Sequence, residues 1–223
     1  MPTTYTINFN NNSNSDSTYA FFVKSPELSP TPGSYFSNVW ISQFVPNGAT
    51  FDISTTDQFY AWTGTSPETI APGVKVKGGD GKPANLATVS ENGSDYPMTT
   101  ESGAAFFKAD LEDGKKAGSF AIQTDGSFQN GQNYLVGLGQ LDLNNDQIVP
   151  VATAPAQPGF GYTFTPVVKY YVAETVEALG TVVEIDAGNL EPGTIDFTNG
   201  PGQGRTTANV TVDHFNHFAV TYQ

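Results

Sequence analysis

The chain has 223 residues and a formal net charge of −13, from 22 acidic residues against nine basic ones, of which Arg205 is the single arginine. Phosphate recognition needs clustered Lys and Arg, so nucleic acid is excluded as a partner and an anionic membrane surface is disfavoured. With no cysteine, thiol catalysis, disulfides, iron–sulfur clusters and cysteine-based zinc sites are excluded too, and no cofactor is expected.

From the N-terminus, Thr4-Tyr5-Thr6-Ile7-Asn8-Phe9 alternates polar and apolar, which places Tyr5, Ile7 and Phe9 on one face of a strand. Asn10 to Ser17 reads as a polar loop and Tyr19 to Lys24 as a second strand. Pro26, Pro30 and Pro32, each lacking an amide donor, then enforce an irregular connection. Val39 to Val45 forms a strand stopped by Pro46-Asn47-Gly48, and Thr50 to Ile53 returns from it as a hairpin. Phe59 to Thr63 and Val74 to Lys77 are further strands. Gly78 to Thr100 is rich in Gly, Ser, Asn and Pro and reads as a long loop broken by one strand near Leu86 to Val89.

Ala104 to Leu111 fits both periods. The turn at Asp113-Gly114 and the strand-like Phe120-Ala121-Ile122 favour a hairpin there. Tyr134 to Gly139 carries Gly137 and Gly139 on one face, a sign of close approach by a neighbour. Ile148 to Thr153, Tyr162 to Thr165, Lys169 to Ala173, Gly180 to Ile185, Thr194 to Phe197, Asn209 to Val212 and His217 to Tyr222 continue the strand pattern. Ala173 to Leu179 alone offers a two-turn helix. The expectation is an all-β, single-domain antiparallel β-sandwich over residues 1–223, two-sheeted, jelly-roll or Ig-like, with little helix.

Few residues carry a chemical signal. Asp142, Asn144 and Asp146 place oxygen ligands at alternate positions, as calcium loops begin. The sixth and twelfth places hold Gln147 and Thr153 instead of Gly and Glu, so a turn is the better reading. Asp213-His214-Phe215-Asn216-His217 holds both histidines, which in a strand would point to opposite faces, so a polar turn is the better reading than a metal site. Gly78-Gly79-Asp80-Gly81-Lys82-Pro83 fails the phosphate-loop pattern, and no Gly-x-Ser-x-Gly elbow exists. Asp52, Asp57, Glu184, Asp186 and Asp196 are carboxylates that a glycoside hydrolase could pair across a cleft, although solvated acids are far commoner. The sequons at Asn11, Asn92 and Asn209 matter only on a secretory route.

Aromatic residues are the strongest candidates. Trp40, Tyr60 and Trp62 lie among small polar residues, and Tyr35-Phe36, Tyr96 and Tyr170-Tyr171 add to them. Such rings stack on sugars or apolar ligands while neighbouring Asp, Asn and Gln supply hydrogen bonds, but any one of them is more often a core residue. Trp40, Tyr60 and Trp62 are therefore the expected ligand-binding set.

The segments Ile7 to Ser13, Val39-Trp40, Phe59 to Gly64, Asn133 to Gly139, Val149 to Ala152, Thr163 to Pro166 and Tyr170 to Ala173 resemble those of RhiA-type rhizosphere-expressed proteins of soil bacteria and their fungal relatives. The resemblance spans nearly the whole chain and carries no catalytic signature. It implies an abundant, signal-less, soluble protein with a part in plant–microbe interaction, and transfers no residue roles.

The expected function is accordingly a non-enzymatic binding or interaction protein for a carbohydrate or small apolar ligand. Alternatives are a membrane-active, cytolysin-like β protein and a carbohydrate-active enzyme with paired carboxylates. The start of the chain has no basic segment followed by an apolar one, so a cytoplasmic location is expected, with unconventional export left open. Edge strands of an open sandwich would also allow a homo-oligomer.

Overall fold

A computed structural model describes residues 2–30, 35–142, 146–183 and 192–223. The strands lie in four sheets that pack as a sandwich-like, all-β fold. The first runs β19 (Phe218–Tyr222), β18 (Thr207–Val212), β1 (Thr4–Asn11), β6 (Thr50–Thr56), and the second β17 (Gly193–Asp196), β15 (Lys169–Glu174), β2 (Ser17–Val23), β5 (Ile41–Val45). The third has six strands: β16 (Val182–Val183), β4 (Phe36–Asn38), β13 (Gln147–Pro155), β12 (Tyr134–Asp142), β7 (Phe59–Thr65) and β8 (Lys77–Ala84). The fourth has five: β10 (Ala104–Phe107), β9 (Asp95–Glu101), β11 (Phe120–Thr124), β14 (Gly161–Thr165) and β3 (Glu27–Ser29). Most pairs are antiparallel, but β1 with β18 and β9 with β11 are parallel.

Alternation explains why β1 holds its register. Ile7 and Phe9 are fully buried while Asn8 and Asn10 face outward, and Asn8 Nδ2 donates to Asn209 Oδ1 on the neighbouring β18 (2.9 Å). A slip by one residue would expose the whole apolar set. The first two sheets meet through rings: Phe9 lies 4.6 Å from Tyr19 and 5.7 Å from Phe21, the latter edge-on. One apolar cluster includes Ile7, Phe21, Val136 and Phe164, and so draws on all four sheets. Buried polar side chains tie sheets together: Gln140 Nε2 on β12 donates to Thr55 Oγ1 (2.7 Å) and Thr56 O (2.9 Å) on β6.

Several expectations change. Four sheets replace two because consecutive strands switch sheets. Val39–Val45 and Thr50–Ile53 form no hairpin: β5 pairs with β2, and β6 with β1. The Gly-rich stretch expected as loop is β8, paired along β7, and Asp95–Glu101 is β9, whereas Leu86–Val89 is not a strand. Val74–Lys77 contributes an isolated bridge, Lys75 to Thr181, before β8 begins. β10 turns back onto β9 through Ser102 (φ 52°) and Gly103 (φ 82°), not across Asp113-Gly114 onto β11. Two consecutive left-handed residues match the twist of a hairpin, which is why the shorter turn wins. No α-helix forms at Ala173–Leu179 because the first residues continue β15 against β2. Glu184 and Ile185 of the Gly180–Ile185 expectation lie outside the described residues.

Candidate functional site

The aromatic set expected to bind ligand does not form an open platform. Trp40 is fully buried and stacks on Tyr170, centroids 5.4 Å apart at 27°. Trp62, 2% exposed, sits in a separate apolar cluster with Ile70, Val76, Leu135 and Val182. Tyr60 is half-buried on the same face of β7, beside Gly139, where an added Cβ would approach the Cβ atoms of Trp62 and Tyr60 at 3.4 Å and Ile148 Cγ2 at 2.7 Å. Burial raises the Tyr60 hydroxyl above its ordinary range, helped by the charge of Asp146. Two tryptophans without an accessible face cannot stack on a sugar. Tyr96 is also buried and donates to Pro83 O (2.7 Å).

The other candidates serve local structure. Asp142 is buried at the end of β12 and Asp146 is exposed with φ 51°, so the two flank the β12–β13 turn. Asn144 lies outside the described residues. Among the described residues no three His, Asp or Glu side chains gather to hold a metal. Asp213 Oδ1 accepts from the amides of Phe215 (2.8 Å) and His217 (3.0 Å), which builds the β18–β19 turn and lowers its carboxyl. Asp52 is exposed on β6. Asp57 Oδ1 accepts from Thr3 N (2.8 Å), and Asp196 pairs with Lys169 Nζ (3.1 Å). Glu184 and Asp186 lie outside the described residues.

A larger feature was not foreseen. A groove of about 840 Å³ opens where the β6–β7 corner, the exit of β8 and the approach to β9 converge. Its polar lining comprises Asp57, Gln58, Asn85, Glu91, Asn92 and Glu112, with Ser94 on its floor, and among the described residues no Lys, Arg or His lines it. Gln58 Nε2 is fixed by Phe59 O (2.8 Å) and Ala84 O (3.0 Å). The floor is tightly braced: Ser94 N donates to Asn85 O, and Gly93 and Gly114 exchange both amide bonds at 2.8 and 2.9 Å. Gly93 permits this, because a Cβ there would lie 2.5 Å from Ala87 N and 2.7 Å from Ser119 O. Asn85, Glu91, Asn92 and Glu112 are exposed above that floor. They come from separate stretches of a polar, Gly- and Ser-rich region, so the sequence carries no spacing that would single them out.

A family model for RhiA matches residues 2–223. The chain belongs to the RhiA family. The resemblance carried by its strand and turn segments is thereby borne out over essentially the whole length. Neither a curated protein nor a solved structure matches it. Every residue lining the groove, from Pro2 to Glu112, lies within the RhiA match. No helix among the described residues is long and apolar enough to cross a membrane.

Proposed function

We propose that this RhiA-family protein binds a neutral polyhydroxylated ligand, a carbohydrate, in the groove beside β8 and β9. The observation that carries the reading is the lining itself: three carboxylates and three primary amides on a braced floor, with no cation among them. Carboxylates accept from vicinal hydroxyls, and amides both donate and accept, so the set matches a sugar edge. A hydrogen bond to a charged acceptor contributes about 1.5–3 kcal/mol, so a few of them can offset the missing aromatic stacking. The net charge of −13 repels anionic ligands, which favours a neutral one.

Titration calorimetry with neutral oligosaccharides at up to millimolar concentration tests this, on the wild type and on Glu91→Gln and Asn92→Ala. Both substituted residues are exposed, so the fold is retained. The expected result is binding that each substitution weakens about tenfold. Silence across the sugars, or binding indifferent to both substitutions, overturns the reading. Because Asp57, Glu91 and Glu112 share one groove, the same incubations are checked for release of reducing sugar. Turnover lost in Glu112→Gln would replace binding by paired-carboxylate hydrolysis.

A further inference from the structure

The groove borders a longer polar surface. Pro2 and Gln58, which line it, lie two residues outside Thr4 of β1 and Thr56 of β6, and Asp57 N donates to Thr3 O (3.2 Å) to extend the ladder toward them. Side chains alternate along a strand, so these positions lead onto the outward face of the first sheet. Thr4 stands opposite Thr56 and Thr6 opposite Ser54; beyond them come Asn8 opposite Asp52 and Asn10 opposite Thr50. β18 widens the far end, with Asn209 beside Asn8 and Thr211 beside Asn10. None of these residues is buried, and Asp52 alone among them is charged. At the rise of an extended strand the face runs about 20 Å from Thr4 to Asn10. It ends in a shallow trough of about 290 Å³ over Asn8, Asn10, Thr50, Asp52, Asn209 and Thr211.

We propose that the carbohydrate is a linear neutral oligosaccharide, held at one end in the groove and running along the outward face of β1 and β6 into this trough. The inference rests on the carbohydrate reading of the groove and gives that ligand its length. Charge argues first: in a chain of net charge −13, a face with one carboxylate and no cation suits an uncharged partner. Composition argues second. A protein partner would need aromatic or aliphatic anchors at the centre of the contact, and these positions carry only hydroxyls, amides and Asp52. Hydroxyls and amides both donate and accept, as a row of sugar hydroxyls requires. Orientation argues third. Asn8 Nδ2 donates to Asn209 Oδ1 (2.9 Å), which leaves Asn8 Oδ1 to accept and Asn209 Nδ2 to donate on adjacent strands. Continuity argues last, since the hydroxyls of Thr4, Thr6, Ser54 and Thr56 join groove to trough with no apolar or cationic side chain between.

The test compares disaccharides with hexasaccharides of the cello-, laminari- and malto- series by titration calorimetry of the wild type, Asn8→Ala, Asp52→Ala and Glu91→Gln. In at least one series the wild type is expected to bind the hexasaccharide about tenfold more tightly than the disaccharide. Asn8→Ala and Asp52→Ala should each cut that advantage to about threefold or less. Glu91→Gln, in the groove, should weaken both lengths and leave their ratio unchanged. Should Asn8→Ala fail to fold, Asp52→Ala, at an exposed position, still decides. Equal affinity for the two lengths, or an advantage that survives both face substitutions, overturns the extended path and leaves the groove reading standing. Silence of every sugar overturns both.

Discussion

At Asp196 partial burial alone would raise the carboxyl, but the hydroxyl and amide of Thr198, the ammonium of Lys169 and the amide of Asn199 outweigh it and hold it at about 2. The depressed folded value means that the unfolded chain binds more protons between about pH 2 and 4. The contribution is therefore complete above about pH 4 and lost as the pH falls toward 2. With solvent screening it amounts to about 1 kcal/mol. Asp196→Asn should lower urea stability by that amount at pH 6 and be indistinguishable from wild type at pH 2, and an equal deficit at both values would refute the pairing. Asn11 shows how far a polar residue can depart from its composition. Read as part of a loop and a sequon, it is fully buried, donates to Ser15 O and Val45 O, and accepts from Ser13 and Tyr19. A glycan cannot be attached to it in the folded protein. Trp40 and Trp62 go the same way: small polar neighbours in sequence said nothing of the Tyr170 ring or the Ile70–Val182 cluster that cover them in space.

Among the elements, composition concealed β8 and most of β9. The Gly78-Gly79-Asp80-Gly81 run of β8 has low strand propensity, yet β7 needs a neighbour that brings backbone close. A Cβ on Gly79 would lie 2.7 Å from Thr63 O, a backbone atom that cannot move cheaply, whereas Gly78 has open space. Gly79→Ala should therefore cost about 1–3 kcal/mol, and Gly78→Ala should stay within about 0.5 kcal/mol of wild type. Denaturation midpoints decide it, and equal losses at the two positions would contradict the close approach. Gly137 is the case that sequence did reveal, since its alternation with Gly139 pointed to close packing, and its Cβ would collide with Ala152 O. The β12–β13 hairpin was legible from its Asn- and Asp-rich turn, whereas the two-residue turn joining β9 to β10 was not. Nor were the partners of strands that cross to another sheet, as β5 and β6 do.

Over the whole molecule the core is aromatic and shared among the sheets, with Phe120 stacked on Phe164 at 5.1 Å and Phe197 in contact with Tyr5, Tyr170 and Tyr222. Both tryptophans are buried, at 0% and 2% exposure, Trp40 in this core and Trp62 in its separate cluster. Native fluorescence should accordingly be blue-shifted and resist acrylamide, then move red and become quenchable in one transition on unfolding. Quenching of the native protein as efficient as that of free tryptophan would show that at least one indole is exposed.

The all-β class and most strands were determined by sequence, because alternation of apolar and polar residues is local: a strand such as β1 or β18 carries its two faces in its own order of residues. The expectation that nucleic acid is not a partner rests on charge, which needs no fold. Long-range strand partners, the fate of the tryptophans, the glycine-rich strand and the groove were decided by tertiary structure alone. Each is a relation between distant segments, and Asp57, Asn92 and Glu112 become neighbours only when β6, β9 and the chain after β10 are held together by a core contributed from elsewhere.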